Sequence, residues 1–307
     1  MQKVIIFCFA GREKYLSIQL QYILQILKKW YNVEYHLWDF SRNIEDHRYL
    51  QEISTKHQQI TYFDKFYQGE NTNITCVKQV GRHCTCVKCR VGQWTEPYKH
   101  YASSVYKESI FIKIDDDIVS FPYKELRKYI VMIQQNPKFI VSANVINNGI
   151  CAFYNNELKP IVLKKKISEK MYTLTDWFYF CTNVDFFRIC HEFFLNGELQ
   201  KKETDLIKPD LLSQVPLQTK FSINTIGFMH NIMKEIAAKL AENDDVSCND
   251  EATISYSFPF LIYNGFTCVH FHFSDQRTQI NESIENELLK QYNNVAEKYI
   301  SINDGTY

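Results

Sequence analysis

The run Ile110-Phe111-Ile112-Lys113-Ile114 leads directly into Asp115, Asp116 and Asp117, with Ile118-Val119 behind them. Three adjacent carboxylates in a low-dielectric site repel one another by a few kcal/mol, so the cluster calls for a cation. Hard divalent ions with oxygen ligands, Mg²⁺ or Mn²⁺, suit an Asp-x-Asp pair, because alternate residues of an extended segment point to the same side. Asp115 and Asp117 are therefore read as facing a metal. Asp116 turns the other way, toward a ribose hydroxyl or a base. The plain alternative is a solvated acidic turn, which fits poorly with apolar residues on both flanks.

Three further groups carry chemistry. Asp244, Asp245, Asp250 and Glu251 precede a helix-like Ala252–Phe258. Some of them can cap that helix. Four carboxylates exceed what capping needs, so Asp250, Glu251 or Asp245 is a candidate general base, its pKa raised by neighbouring acids and burial. His270 and His272 share one side of an extended Gly265–Phe273, and a histidine there can complete a metal shell begun by the aspartates. A hydrogen-bonded core histidine is the competing reading for each. Finally, Cys76, Cys84, Cys86 and Cys89 fall within a polar insertion, 68–93, with a Cys-x-Cys-x-x-Cys core. Thiolates this close suit a structural, tetrahedral Zn²⁺ with those four as ligands and His83 as a substitute; a redox pair or unpaired thiols are the alternatives.

The elements around these groups read as α/β. Lys3–Phe9 is a buried strand, Ala10-Gly11-Arg12 a tight turn, and Leu16, Leu20, Ile23, Leu24 and Leu27 recur at helical spacing. The backbone at Gly11 can come close to a ligand, and Arg12 offers a fixed cation to a phosphate or base. Val33–Trp38 is a second strand ending at Asp39 with Arg42 close behind, a place where such folds hold a ribose or base edge; Asp39 or Asp46 as a helix cap is the alternative. Gln59–Phe63 is a third strand, and the alternation argues for a parallel sheet with right-handed crossovers.

Further along, Tyr98–Tyr106 and Tyr123–Gln135 read as helices and Phe139–Ala143 as a strand. Asn147 and Asn148 follow its end, where amides could bind sugar hydroxyls or simply form a turn. Tyr154–Lys170 reads as a loop. The aromatic stretch 175–187 includes Trp177, a ring able to stack on a sugar, although such density is more often core. Asn281–Tyr299 is a closing helix.

Composition sets limits. The 307 residues, 45% hydrophobic and 15% aromatic, are enough for a well-packed core. Lys plus Arg equals Asp plus Glu at 35 each, so no whole-molecule field favours nucleic acid or an anionic membrane. The start lacks signal-peptide character, no stretch has the apolar length of a membrane helix, and ten cysteines then suit a reducing compartment. A cytoplasmic protein is expected, with peripheral membrane contact if its acceptor is lipid-linked.

In order, the strand and turn Val4–Arg12, the acids Asp115–Asp117, Asp250-Glu251 before a helix, and His270-Phe271-His272-Phe273-Ser274-Asp275-Gln276-Arg277 resemble metal-dependent glycosyltransferases of the GT-A fold. The last segment is similar to the H-F-x-F-x-x-Q-R ending of bacterial and viral surface-polysaccharide transferases. The resemblance spans most of the chain and implies a single GT-A domain: a mixed, mostly parallel sheet flanked by helices, with residues 1–120 binding nucleotide and 121–307 binding acceptor. It implies that Phe9, Ala10, Gly11, Arg12, Asp39 and Arg42 hold a nucleotide-sugar, a UDP-sugar by default, together with Asp115 and Asp116. Asp115 or Asp117 with His270 would hold the metal, and Asp250 or Glu251 would sit near a glycan or glycolipid acceptor. The cysteine cluster departs from the family pattern. If one of these acids deprotonates the acceptor, direct attack inverts the anomeric centre; if none reaches it, a retaining front-side mechanism follows. The competing classes are a sugar-phosphate nucleotidyltransferase and a non-enzymatic, zinc-stabilised interaction module.

Overall fold

The computed structural model describes residues 2–65, 79–80, 83–84, 94–155, 158–165, 172–200, 212–242 and 250–304. Cys76, Cys86, Cys89 and Asp245 lie outside these residues, and Cys84 is described only as backbone in a two-stranded ladder of β4 (Gln79–Val80) with β5 (His83–Cys84).

The first strand, β1 (Val4–Ala10), is buried at all seven positions, as a strand covered on both faces must be. Helix α1 (Glu13–Lys29) turns Leu16, Leu20, Ile23 and Leu27 inward. It begins with Glu13 and ends with Lys28 and Lys29, the charges its dipole favours. Next come β2 (Val33–Asp39), α2 (Ile44–Lys56, capped by Asn43) and β3 (Ile60–Phe63), and all three strands pair in parallel. On the other side of β1 runs β6 (Ile110–Asp115), also parallel.

The remaining strands are β7 (Ile118–Ser120), β8 (Ile140–Ile146), β9 (Leu212–Val215), β10 (Thr225–Met229) and β11 (Phe260–His270). The sheet order is β3-β2-β1-β6-β10-β8-β11-β7, with β9 on β11. Six of the nine strands run one way, while β7, β9 and β10 run against them, so the sheet is mixed with a parallel majority. The antiparallel β10 sits between β6 and β8, where Gly227 leaves room for Ile133 and Tyr129 of the helix Leu126–Gln135.

This order constrains the acidic turn. Three strands separate β6 from β7 along the sheet, yet only Asp116 and Asp117 connect them. At about 4.8 Å per strand, a flat sheet would put them roughly 19 Å apart. The link from Asp115 to Ile118 reaches only about 10 Å. The sheet therefore curls until its far edge comes back toward β6, and the aspartates lie at that junction.

The segment read from sequence as a loop, Tyr154–Lys170, contains the helix Lys159–Lys165, because Leu158 and Val162 bury one face at four-residue spacing. No helix among the described residues is long and apolar enough to cross a membrane.

The core carries one polar group that ties distant elements together. His191, in the helix Val184–Gln200, contacts the carbonyl of Phe271 through Nε2 (2.7 Å) and the Tyr292 hydroxyl through Nδ1 (2.6 Å). A carbonyl only accepts, so Nε2 donates and Nδ1 accepts from Tyr292, a neutral and satisfied imidazole. Burial pushes its pKa down to about 3. Between an unfolded value of about 6.5 and that figure, the unfolded chain binds a proton the native one does not. Native stability therefore falls as pH drops through this window. His191→Gln keeps one donor and one acceptor but cannot titrate. Between pH 7 and pH 4.5 its melting temperature should fall less than that of the wild type, as followed by circular dichroism.

Candidate active site

The ends of β1, β2, β6 and β11 open onto one cavity of about 400 Å³. This is the place where open α/β sheets bind ligands. The acidic turn crosses it, tied down by four hydrogen bonds to its backbone. Asp115 N–H donates to the Asn224 carbonyl (2.9 Å), Gln19 Nε2 donates to the carbonyls of Asp115 (2.8 Å) and Ile118 (3.2 Å), and Phe271 N–H donates to the Asp117 carbonyl (2.8 Å). Tyr35 holds Gln19 in turn (2.7 Å). These bonds to the backbone on either side of Asp116 help aim the side chains.

Arg12 stands at the N-cap position of α1 and makes no cap bond, since a guanidinium has no acceptor for the first-turn N–H groups; its donors go to the acids. It pairs through Nε and Nη2 with Asp116, which also accepts the Gly11 N–H (3.0 Å), and through Nη1 with Asp117 (3.1 Å). Burial opposes this charge, but the two carboxylates hold the guanidinium firmly protonated. Burial would likewise raise Asp117; Arg12 and the two histidines outweigh it and keep this carboxyl ionised. Asp116, in the turn beyond β6, lines the same cavity as Asp115 and Asp117 and shares Arg12 with Asp117.

Lys113 escaped the sequence reading. It is buried, pairs with Asp115 and donates to the Ile223 carbonyl (2.9 Å). Burial works against its charge, yet Asp115 and the nearby Asp250 and Glu251 lift its pKa above the ordinary value. The available signal was a lysine inside an apolar strand, two residues before Asp115 and so on the same face. Asn224 escaped as well; its amide donates to Asp115 Oδ2 (3.0 Å).

Asp115, Asp117 and His270 each bring one donor atom, all within 4.8 Å of one another. Asp117 Oδ1 and His270 Nδ1 are buried and have no hydrogen-bond partner among the described residues. Around the cavity, five carboxylates, Asp115, Asp116, Asp117, Asp250 and Glu251, meet five cations: Arg12, Lys113 and Lys220, which pair with them directly, and Arg42 and Arg277 on the wall. Two carboxylates and one imidazole fit a divalent ion of the Mg²⁺ or Mn²⁺ kind.

Asp250 and Glu251 open the helix Asp250–Ser257 on the cavity wall. Tyr98 donates to Asp250 (3.0 Å) and Lys220 pairs with Glu251 (3.0 Å). Burial pushes both carboxyls up, the direction a general base requires. Phe9, Phe40 and Trp94 line the same cavity, Phe40 stacked on Trp94 at 5.2 Å and Phe9 edge-on to both.

Other expected contacts lie behind the wall. Asp39 is buried and accepts from the Ser41 N–H (2.8 Å) and from Tyr62 (2.5 Å), with His47 at 2.6 Å; it shapes the loop that carries Phe40 and Arg42 into the cavity. Asn147, at φ 62°, bonds the Phe271 carbonyl and Gln276. Asn148 caps the helix Gly149–Tyr154 and bonds Asn224 (3.0 Å), so it reaches Asp115 through one intermediary. Trp177 bonds Ser222 (2.8 Å) beneath Lys220, two contacts from Glu251. Ala10 is buried next to Gly11.

No protein-family profile and no curated protein matches the sequence. Among solved structures, the chain is similar to the 4-diphosphocytidyl-2C-methyl-D-erythritol synthase of Anaerococcus prevotii, at 10% identity and a TM-score of 0.41 over 95% of each chain. It is also similar to residues 1–349 of S. aureus TarS, at 10% identity and a TM-score of 0.39, covering 99% of this chain and 74% of that one. At this level neither carries a function over to this chain.

The β1–α1 turn tolerates no side chain at Gly11, where a Cβ would lie 2.7 Å from the Phe40 carbonyl oxygen. Gly11→Ala should cost about 1–3 kcal/mol, as overpacking does, and should displace Phe40. Gly197→Ala, with nothing within 4 Å of its Cβ, should stabilise its helix by about 0.5–1 kcal/mol. Chemical denaturation of both variants checks the opposite signs.

Proposed function

We propose that this chain is a metal-dependent glycosyltransferase that moves a sugar from a nucleotide-sugar donor, a UDP-sugar, to a glycan or glycolipid acceptor. The observation that carries this reading is a metal-capable triad, Asp115, Asp117 and His270, sharing one cavity with two acids of raised pKa, Asp250 and Glu251. Metal at the leaving group and base at the acceptor are the two parts that direct glycosyl transfer needs.

The bound ion would supply Lewis acidity, neutralising charge as the donor's diphosphate leaves. The chain's own groups do the rest. Phe9, Phe40 and Trp94 present flat rings to a base, with Arg42 beside them. Arg12 pairs with Asp116 and Asp117 and holds both in place. Arg277, whose buried Nε has no hydrogen-bond partner among the described residues, faces the same cavity and suits a phosphate. Asp250 or Glu251 takes the proton of the acceptor hydroxyl; its oxygen then attacks the anomeric carbon, the bond to the diphosphate breaks, and the configuration inverts. Lys220 borders Glu251, with Trp177 behind it. In the cysteine insertion, Cys76, Cys84, Cys86 and Cys89 are proposed as ligands of a structural Zn²⁺.

A thermal-shift series with UDP, GDP, CDP, CMP and dTDP, each with and without Mn²⁺, tests the donor half. UDP with Mn²⁺ should stabilise the protein by about 2.7 kcal/mol at a hundredfold excess over Kd, and Asp117→Asn should abolish the gain. UDP-sugar turnover should fall by about 10²–10⁴-fold in whichever of Asp250→Asn and Glu251→Gln removes the base, with the UDP shift retained. Pyrophosphate release from a nucleoside triphosphate and a sugar phosphate would favour a nucleotidyltransferase instead. An unmoved melting temperature with every nucleotide would overturn the proposal.

A further inference from the structure

His272 lines the cavity beside Asp117 and is almost wholly buried, at 1% exposed. Its hydrogen bonds fix which nitrogen holds the proton. Lys14 Nζ pairs with the Glu285 carboxylate at 2.6 Å, so Glu285 accepts only. The Tyr15 hydroxyl donates its single proton to Glu285. Its contact with His272 Nε2 at 2.8 Å must then run the other way, from the imidazole N–H to the tyrosine oxygen. That leaves the lone pair on Nδ1. This atom is buried, has no hydrogen-bond partner among the described residues, and lies 3.8 Å from Asp117 Oδ2. On the other oxygen of the same carboxylate, Asp117 Oδ1, stands His270 Nε2 at 3.4 Å.

The backbone explains how two histidines come to flank one carboxylate. A register irregularity falls between Val269 and His270, and irregularities of this kind re-aim side chains. The intervening Phe271 is fixed in the core, its carbonyl contacting His191 and Asn147 and its N–H donating to the Asp117 carbonyl. His270 and His272 therefore flank the two oxygens of Asp117, His270 with its donor atom within 4.8 Å of both Asp115 and Asp117 and His272 farther from Asp115.

We infer that His272, through Nδ1, is a further ligand of the divalent ion held by Asp115, Asp117 and His270, so that two imidazoles face the metal. The inference rests on the proposed metal role of that triad. His272 has the supporting shell that metal-ligating histidines have: its second nitrogen donates into a Tyr15–Glu285–Lys14 chain that fixes both tautomer and ring orientation. Two imidazoles with two carboxylates favour Mn²⁺, Co²⁺ or Zn²⁺ over Mg²⁺, which takes oxygen ligands. The ion that supports turnover is thereby narrowed by a residue outside the Asp-x-Asp motif.

The test is Mn²⁺ binding to the full chain without nucleotide, with pulsed electron paramagnetic resonance counting the nitrogens coupled to the ion. Wild type should show two imidazole nitrogens, and His272→Ala and His270→Ala one each. Tyr15→Phe should keep both nitrogens but bind about 10–100-fold more weakly, the usual loss when a supporting partner is removed. Circular dichroism melts identify any variant that fails to fold. If His272→Ala is lost in that way, the wild-type nitrogen count and the Tyr15→Phe affinity still decide. A single nitrogen in the wild type, an unchanged count in His272→Ala, or an unchanged affinity in Tyr15→Phe overturns the inference alone, with the UDP shift intact. A wild-type protein that takes up no Mn²⁺ at all overturns the metal reading with it.

Discussion

Burying negative charge at a turn is the constraint around which this molecule is arranged. Asp116 and Asp117 are nearly inaccessible to solvent, and Asp115 is only partly accessible. An uncompensated carboxylate in such a place would protonate rather than stay charged. Arg12 pairs with two of them at once, and Lys113 with the third. Arg12 reaches the acids because β1 and β6 are neighbouring parallel strands in register, Phe9 opposite Asp115. The first turn of the chain and its most acidic turn, more than a hundred residues apart, are thus one electrostatic unit.

Around that unit the fold supplies direction rather than charge. The two-residue link between β6 and β7 forces the sheet to curl, which brings the end of β11 against the acids. Gln19, Asn224 and Phe271 then occupy the backbone polar atoms of the turn. Asn147, Asn148 and His191 hold Asn224 and Phe271 from behind. Preorganised side chains in a dry site need this kind of support, since a buried polar group without a partner costs about 1–3 kcal/mol. Among the described residues, four that line the cavity, Asp117, His270, His272 and Arg277, each keep a buried polar side-chain atom without a hydrogen-bond partner. That distribution suits a site whose remaining bonds are made to a ligand.

Local pattern determined much of this from the sequence. The apolar strand running into Asp115–Asp117, the small-residue turn at Gly11, the helix behind it and the parallel β1-β2-β3 run are all written in short-range periodicity, and they appear at nearly the expected residues. The sequence placed Asp115 and Asp117 at the end of one strand and His270 at the end of another, but it is the curl of the sheet that brings them together. Only the tertiary structure decided which polar residues face the cavity and which stand behind it. Asp39, Asn147 and Asn148 have the chemistry of ligand contacts, yet each is buried on partners from other elements, while Lys113, with the look of an interruption in a core strand, is turned into the site. The proton on His272 is set by Tyr15 and Glu285, more than 250 residues earlier and 13 residues later in the chain respectively. Spacing along a strand reports which side a residue faces, but partners brought from distant elements decide whether its hydrogen bonds are already used, and that is a property of the folded chain alone.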